Sequence, residues 1–311
     1  MYENYNNYDN LFFNVIPNAV GNIKIFGKED EFIIKQDYNS IPEEEHEIWG
    51  RLHHKLISPV DQYASGEYLQ GLRALDLDQN AMPNFKIISD RLGKISGWVA
   101  VPVSGFLDEN VFFTLTAQRE FPVTDIIRNS KRFDEKYAGV SIQNEDAYTP
   151  EPDIFHDIFG HLPFLTDDAY GNFVGKMAQH GLELIKDERG LGPQLIAHNL
   201  KRLQNLAWWT YEFGVMKKQS NTDTLRKEPN DMDYEIYGAG IISSYSEVMN
   251  VVSCAKRISN SSEFLNFDIE EASLARFDYS DIQDRYYVIE SMESLYSSFY
   301  DNRDLFLFEG Q

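Results

Sequence analysis

Histidine is the side chain best suited to hold a metal or move a proton near neutral pH, and this chain has 7 of them. They stand at positions 46, 53, 54, 156, 161, 180 and 198, and only His156 and His161 lie close together among apolar neighbours, in His156-Asp-Ile-Phe-Gly-His161. On an ideal α-helix a spacing of five turns the two rings about 140° apart, so this is not the one-face arrangement of an HExxH zinc helix. A metal shared by the pair requires a helix end or a distortion. Gly160 permits one, and Pro152 predicts a helix start shortly before His156. Spacing alone also accommodates two structural histidines satisfied by backbone or carboxylate groups.

A third candidate is Glu212, inside Trp208-Trp-Thr-Tyr-Glu-Phe-Gly-Val215, where nearly every neighbour is aromatic or apolar. A carboxylate there needs a partner, either a cation such as Lys217 or Arg202 or a metal. Two imidazoles and one carboxylate form the ligand set of the facial triad, which leaves positions on Fe(II) for water, oxygen and a cosubstrate. A zinc hydrolase would use the same ligands, yet HExxH is missing and no general base adjoins the pair. A 2-oxoglutarate oxygenase calls for a jelly-roll strand pattern and an HxD motif, and the sequence has neither.

The elements that must position these residues read as mainly helical. Ser40, Pro42 and Glu43 mark a helix start, with Ile48, Trp49, Leu52 and Leu56 at helical spacing. Further helices are expected over Tyr68 to Leu75, through Phe85, Ile88 and Leu92 up to Gly97, over Val111 to Gln118, from Pro152 to about Gly181, from Gln194 to Lys217, and from Ser244 to about Ala255. Short strands are expected at Trp98 to Gly105 and at Glu120 to Val123, and loops at 128–148 and 221–234. Residues 1–38 read as an N-terminal arm laid over the core, and 39–311 as one domain with no internal linker. That amounts to a mainly α fold with a few short strands.

Composition narrows the class. The 28 Lys+Arg against 50 Asp+Glu leave a formal charge of −22, a field that repels phosphate backbones and anionic bilayers, so neither nucleic acid nor membrane is an expected partner. With 42% hydrophobic and 14% aromatic residues the chain has apolar surface for one sizeable core. The single cysteine, Cys254, closes no intramolecular disulfide, and the acidic start MYENYNNYDN is unlike a secretory signal, which predicts a cytoplasmic protein.

Several blocks in order carry a resemblance. Glu151-Pro-Asp-Ile-Phe-His-Asp-Ile-Phe-Gly-His161, Tyr211-Glu-Phe-Gly214 and Tyr237-Gly-Ala-Gly-Ile-Ile-Ser-Ser244 closely resemble the pterin-dependent aromatic amino acid hydroxylases, above all the bacterial phenylalanine hydroxylases. The resemblance runs from Glu45-His-Glu-Ile-Trp49 through Gly97-Trp-Val-Ala-Val-Pro-Val-Ser-Gly105 to Arg285-Tyr-Tyr-Val-Ile-Glu290, nearly the whole chain. It implies the helical-basket catalytic fold of that family, an Fe(2+) ion held by His156, His161 and Glu212, a tetrahydropterin cosubstrate, and conversion of L-phenylalanine to L-tyrosine with O2.

Position by position, the resemblance implies that Arg128 pairs with the substrate carboxylate, a task suited to a planar bidentate donor. Thr149 and Ser244 help hold the amino acid, Trp208 and Phe213 wall the aromatic pocket, and Val288 supplies an apolar contact where tyrosine-specific relatives carry aspartate. The pterin lies against Val103, Gly105 and Leu107, with Phe112 on its ring. Ser243 hydrogen-bonds an iron-ligand histidine and Glu247 stands near the cavity.

The chain departs from the family in a longer 128–148 segment, in Ala207 where tyrosine is common, and in Asp284-Arg285 where Gln-Pro is usual. Only the catalytic domain is matched, with no regulatory domain and no tetramerisation helix, so a monomer or dimer is expected. A tryptophan hydroxylase of the same family, and a non-catalytic metal-stabilised binding protein on the same scaffold, are the competing readings.

Overall fold

The helices begin where short polar side chains meet free backbone N–H groups. Ser65 Oγ accepts from Tyr68 N–H, Asn84 Oδ1 from Lys86 and Ile87, and Asp167 Oδ1 from Tyr170. These caps open α2 (Gly66–Leu75), α3 (Phe85–Ser96) and α5 (Asp168–Lys186). Gly97 ends α3 in the left-handed region at φ 75°, as the sequence implies. The structure, a computed structural model, describes residues 16–17, 23–26, 30–36, 38–41, 43–103, 107, 109–124, 126–127, 153–219, 223–277 and 282–307.

Around these stand α1 (Glu43–Tyr63), α4 (Glu109–Ala117), α6 (Pro193–Ala207), α7 (Tyr245–Ala255), α8 (Ile269–Leu274) and α9 (Met292–Asn302). One large core joins Trp49, Leu52 and Leu56 of α1 to Tyr68, Leu92, Trp98, Phe159, Phe164, Leu206, Trp209 and Tyr286. The mainly helical class is the fold observed. Among the described residues no helix is long and apolar enough to cross a membrane.

Two four-stranded sheets flank the helices. The first has β1 (Ile23–Phe26), β2 (Asp30–Gln36), β3 (Val99–Val103) and β4 (Glu120–Thr124) in that order. β3 and β4 run parallel from Val99↔Glu120 to Val103↔Thr124, with α4 as the crossover. The stretch expected as an arm therefore supplies two strands to this sheet, because Ile23, Ile25, Ile33 and Ile34 are β-branched residues suited to it, and a third, Ile16–Pro17, pairs antiparallel with Ile126–Ile127. The second sheet has the order β6-β5-β8-β7, with β5 (Val215–Lys217), β6 (Tyr234–Ile236), β7 (Glu263–Asn266) and β8 (Arg285–Ile289). Its short strands were not distinguished from loop or tail by periodicity, since three or four residues are too few to establish a period.

The two long helices expected around the candidate ligands are interrupted. The first breaks into a short turn, a π-helical segment at His156–His161, a 3₁₀ turn at Phe164–Thr166 and then α5. The second runs as α6, turns π-helical over Trp208–Glu212 and continues as strand β5. The 221–234 connection is tied down by a fully enclosed pair, Arg226 Nη2 to Glu235 Oε1 at 2.5 Å. The same guanidinium donates to the Gln62 and Ala64 carbonyls at 3.1 and 2.6 Å.

Burial also holds two histidines neutral. His53, against Phe159, is lowered to about 4 by burial and then by neighbouring His54, with Asp78 opposing; His180, beside Phe299, is lowered to about 4 by burial and then by Arg303 and Arg189. A histidine whose folded pKa is depressed takes up its proton first in the unfolded chain. Stability is therefore complete above about pH 6.5 and is lost as pH falls toward 4, by on the order of 3 kcal/mol per group. Chemical denaturation between pH 7 and 4 is expected to show this slope, and His53→Phe is expected to flatten it; an unchanged slope in the variant refutes the assignment.

Candidate metal centre and active site

Each ligand-bearing turn has an identifiable cause. Pro163 carries no N–H and its ring clashes with an α-helical carbonyl four residues back, so Phe159 O loses its helical donor. Tyr68 Oη, fully buried, donates to that carbonyl at 2.7 Å, while Leu162 N–H reaches Asp157 O, five residues back, at 3.3 Å. In the second turn Phe213 N–H bonds Trp208 O at 2.8 Å, again an i→i+5 closure. The Thr210 hydroxyl donates to Leu206 O, four residues back, at 2.5 Å. Closure over five residues brings residues five apart onto one face, which resolves the 140° problem posed by His156 and His161.

The three side chains converge. One nitrogen or oxygen from each of His156, His161 and Glu212 lies within 4.8 Å of the others. His161 Nε2 stands 3.1 Å from Glu212 Oε1 and 3.1 Å from His156 Nε2, and His156 Nε2 stands 3.5 Å from Glu212 Oε2. The cations considered as partners of Glu212 bond elsewhere: Lys217 pairs with Glu290 at 2.5 Å, and Arg202 donates to Ser273 Oγ and the Leu305 carbonyl. His161 is almost closed off, with 3% of its side chain exposed, whereas Glu212 keeps 20%, so the centre opens on the carboxylate side.

The Tyr237–Ser243 turn locks the two segments together. Gly238 N–H donates to Gly214 O at 2.9 Å, and a Cβ on Gly238 would meet the Glu212 carbonyl at 2.4 Å. Ser243 Oγ donates to the Ala239 carbonyl at 2.8 Å, which uses its only proton, so it accepts the Nδ1–H of His156 at 2.7 Å. His156 thereby presents a bare Nε2 to the centre. On the other side Phe121 of β4 packs on the His161 ring at 5.0 Å, and Asp157 Oδ2 accepts Thr124 N–H at 2.8 Å.

The aromatic residues form a stack. Trp208 stacks on Phe213 (4.6 Å, 26°) and on Phe277 (4.2 Å, 11°), and its indole N–H donates to Gln283 Oε1 at 3.0 Å. Glu247 is fully buried, and its oxygens accept from Gln283 N–H at 3.1 Å and Tyr286 Oη at 2.7 Å, so it reaches the site through Gln283. Ser244 is buried, its Oγ 3.1 Å from Ser246 Oγ, and Val288 is buried in β8 opposite Val215. Val103 and Leu107 share a small apolar cluster with Val101 and Leu115, and Phe112 lies edge to face with Phe113 at 5.9 Å. Gly105, Arg128 and Thr149 fall outside the described residues. Tyr68, Asp157, Phe277 and Gln283 escaped the sequence reading; Pro163, two residues after His161, was the available signal that a carbonyl there needs a side-chain donor.

Comparison with known proteins decides the family. A model of the biopterin-dependent aromatic amino acid hydroxylases matches residues 18–302. The chain belongs to that family. It is 31% identical over 269 residues to the phenylalanine-4-hydroxylase of Caulobacter vibrioides, covering 86% of this chain and 78% of that protein. The crystal structure of phenylalanine hydroxylase from Chromobacterium violaceum with iron and phenylalanine bound superposes with a TM-score of 0.69 at 28% identity, over 90% of this chain and 88% of that one. A structure of the same enzyme with iron(III) and 7,8-dihydrobiopterin gives 0.70 at 27% identity, over 92% and 90%. In this hydroxylase Ser243→Ala is expected to free the His156 ring and weaken divalent metal binding about 10- to 100-fold, read by titrating metal-free protein with Co(II). Unaltered affinity would remove Ser243 from the site.

Proposed function

We propose that this chain is an Fe(II)- and tetrahydropterin-dependent monooxygenase that hydroxylates L-phenylalanine to L-tyrosine with O2. The observation that carries the reading is the convergence of two imidazoles and a carboxylate within 4.8 Å. One imidazole already presents a bare nitrogen because Ser243 holds its Nδ1 proton. Three such donors suit Fe(II) and leave positions open. Iron bound there, with electrons from reduced pterin, supplies the activation of dioxygen that no side chain performs.

The chain's own residues bind, orient and exclude water. His156, His161 and Glu212 are the ligands, with Ser243 orienting His156 and Glu247 bracing the pocket wall through Gln283. Arg128 holds the substrate carboxylate through a bidentate pair, and Thr149 and Ser244 hold the amino acid. Trp208, Phe213 and Val288 wall the ring; the burial of Phe213 and Val288 supports this. The pterin rests on Val103, Gly105 and Leu107, with Phe112 against its ring. For Gly105, Arg128 and Thr149 the support is the correspondence of sequence within the family. Residues 39–311 form a single catalytic domain, to which the arm 1–38 lends strands β1 and β2. A single cysteine, buried, and a charge of −22 support a cytoplasmic monomer or dimer.

Two measurements test this. Iron content per chain should approach one and fall to background in His161→Ala while the circular dichroism of the helices persists; full occupancy in that variant would overturn the ligand set. In competition among equimolar Phe, Trp and Tyr, tyrosine is expected as the main product. Val288 offers a phenol no polar partner, so a bound tyrosine hydroxyl loses hydration worth about 1–3 kcal/mol. Tryptophan is discriminated only by volume. Mainly 5-hydroxytryptophan or dihydroxyphenylalanine would refute the phenylalanine assignment.

A further inference from the structure

The two histidines of the triad are held differently at their outer nitrogens. His156 Nδ1 meets a serine hydroxyl whose proton is already committed to the Ala239 carbonyl. His161 Nδ1 meets the hydroxyl of Tyr170 at 3.4 Å, and that contact is the only hydrogen bond of either atom among the described residues. Both side chains are enclosed, Tyr170 at 1% exposure and His161 at 3%, so each polar atom depends on the other. Tyr170 cannot swing away. Its backbone N–H is bound by Asp167 at 2.8 Å in the first turn of α5, and its ring stacks on Phe164 at 4.9 Å and 18°.

A neutral phenol with one proton and no other partner can serve Nδ1 in two ways. When His161 Nε2 carries the proton, that N–H has Glu212 Oε1 at 3.1 Å and His156 Nε2 at 3.1 Å as acceptors, and Tyr170 donates to the bare Nδ1. When Nε2 gives its lone pair to a metal, the ring proton sits on Nδ1 and Tyr170 accepts it. A serine committed to a carbonyl has no such freedom.

We propose that Tyr170 is a positioning residue for the metal, its hydroxyl turning from donor to acceptor as His161 passes from the metal-free to the metal-binding tautomer. The proposal rests on the metal reading given above for His156, His161 and Glu212. A cation on Nε2 polarises the ring and makes Nδ1–H the stronger donor, so loss of the hydroxyl is felt more in the loaded state than in the empty one.

Tyr170→Phe keeps the ring and removes only the hydroxyl. Titration of metal-free protein with Co(II), followed in the visible spectrum, is expected to show one tight site in the unaltered chain and a dissociation constant raised about 10- to 100-fold in the variant. The melting temperature of the metal-free variant should fall by only a few degrees. Affinity within twofold of the unaltered chain overturns the role of Tyr170 and leaves the ligand set standing, as does a large loss of metal-free stability with unchanged affinity. Failure of the unaltered chain to bind Co(II) overturns the ligand set itself, and this proposal with it. Should Tyr170→Phe not fold, the ring ¹⁵N shifts of His161 in the unaltered chain decide. The expected pattern is protonated Nε2 without metal and protonated Nδ1 with Zn(II); the same tautomer in both states overturns the proposal.

Discussion

The i→i+5 closure of the chain at His156–His161 is the constraint on which the rest of the site depends. Two rings five residues apart face one centre only if the helix widens there, and Pro163 makes widening the cheaper course by removing the donor that α-helical pairing needs. The widened turn leaves a carbonyl that must be satisfied in a dry core, and Tyr68 does so from a second helix. The same turn presses Gly160 against the Ala239 backbone, where an added Cβ would lie 2.8 Å from the carbonyl oxygen. That approach brings Ser243 to His156. The facing of His156 and His161, the hydroxyl on His156 and the seat of the Tyr237–Ser243 turn thus follow from one backbone irregularity.

A second irregularity of the same kind delivers Glu212. A carboxylate and two imidazoles in a partly closed cavity repel or merely tolerate one another unless a proton or a cation stands among them. The hydroxyls of Ser243 and Tyr170 lie at the outer nitrogens, and Ser243, its proton committed to Ala239 O, leaves the inner nitrogen of His156 bare. Neither hydroxyl carries charge.

Much of this was legible before the fold. The His156–His161 pair, the stranded Glu212, the start of α1 at Glu43, the end of α3 at Gly97 and the strands at 99–103 and 120–124 all follow from residue type and spacing. The 140° objection was also sound for an α-helix; it pointed to the distortion without saying which one. What stayed hidden depends on contacts between distant segments. Tyr68 reaches Phe159 across 91 residues and Gln283 reaches Trp208 across 75, and no local pattern marks either. Strands β5 and β6 are three residues each and become strands only because β8 lies beside β5. Ser243 and Ser244 are adjacent hydroxyls with different work, one on His156 and one at the start of α7, and only the turn between them separates the roles.

The two tryptophans that open the second π-helical turn are anchored on one connection of the chain. Trp208 and Trp209 send their indole N–H groups to opposite ends of the same connection, to Gln283 Oε1 and to the Ala275 carbonyl, each at 3.0 Å. Phe277, from within that connection, stacks on Trp208, as does Phe213, with Lys201 Nζ 4.5 Å above the Phe277 ring. Stacked on two rings and held at its indole N–H, Trp208 cannot tilt without breaking those contacts. Gln283 then passes this rigidity to Glu247 and Tyr286, two residues before Val288. A side chain clamped in this way yields little, and on the reading proposed for Trp208 as a wall of the aromatic pocket that is what discrimination by volume requires.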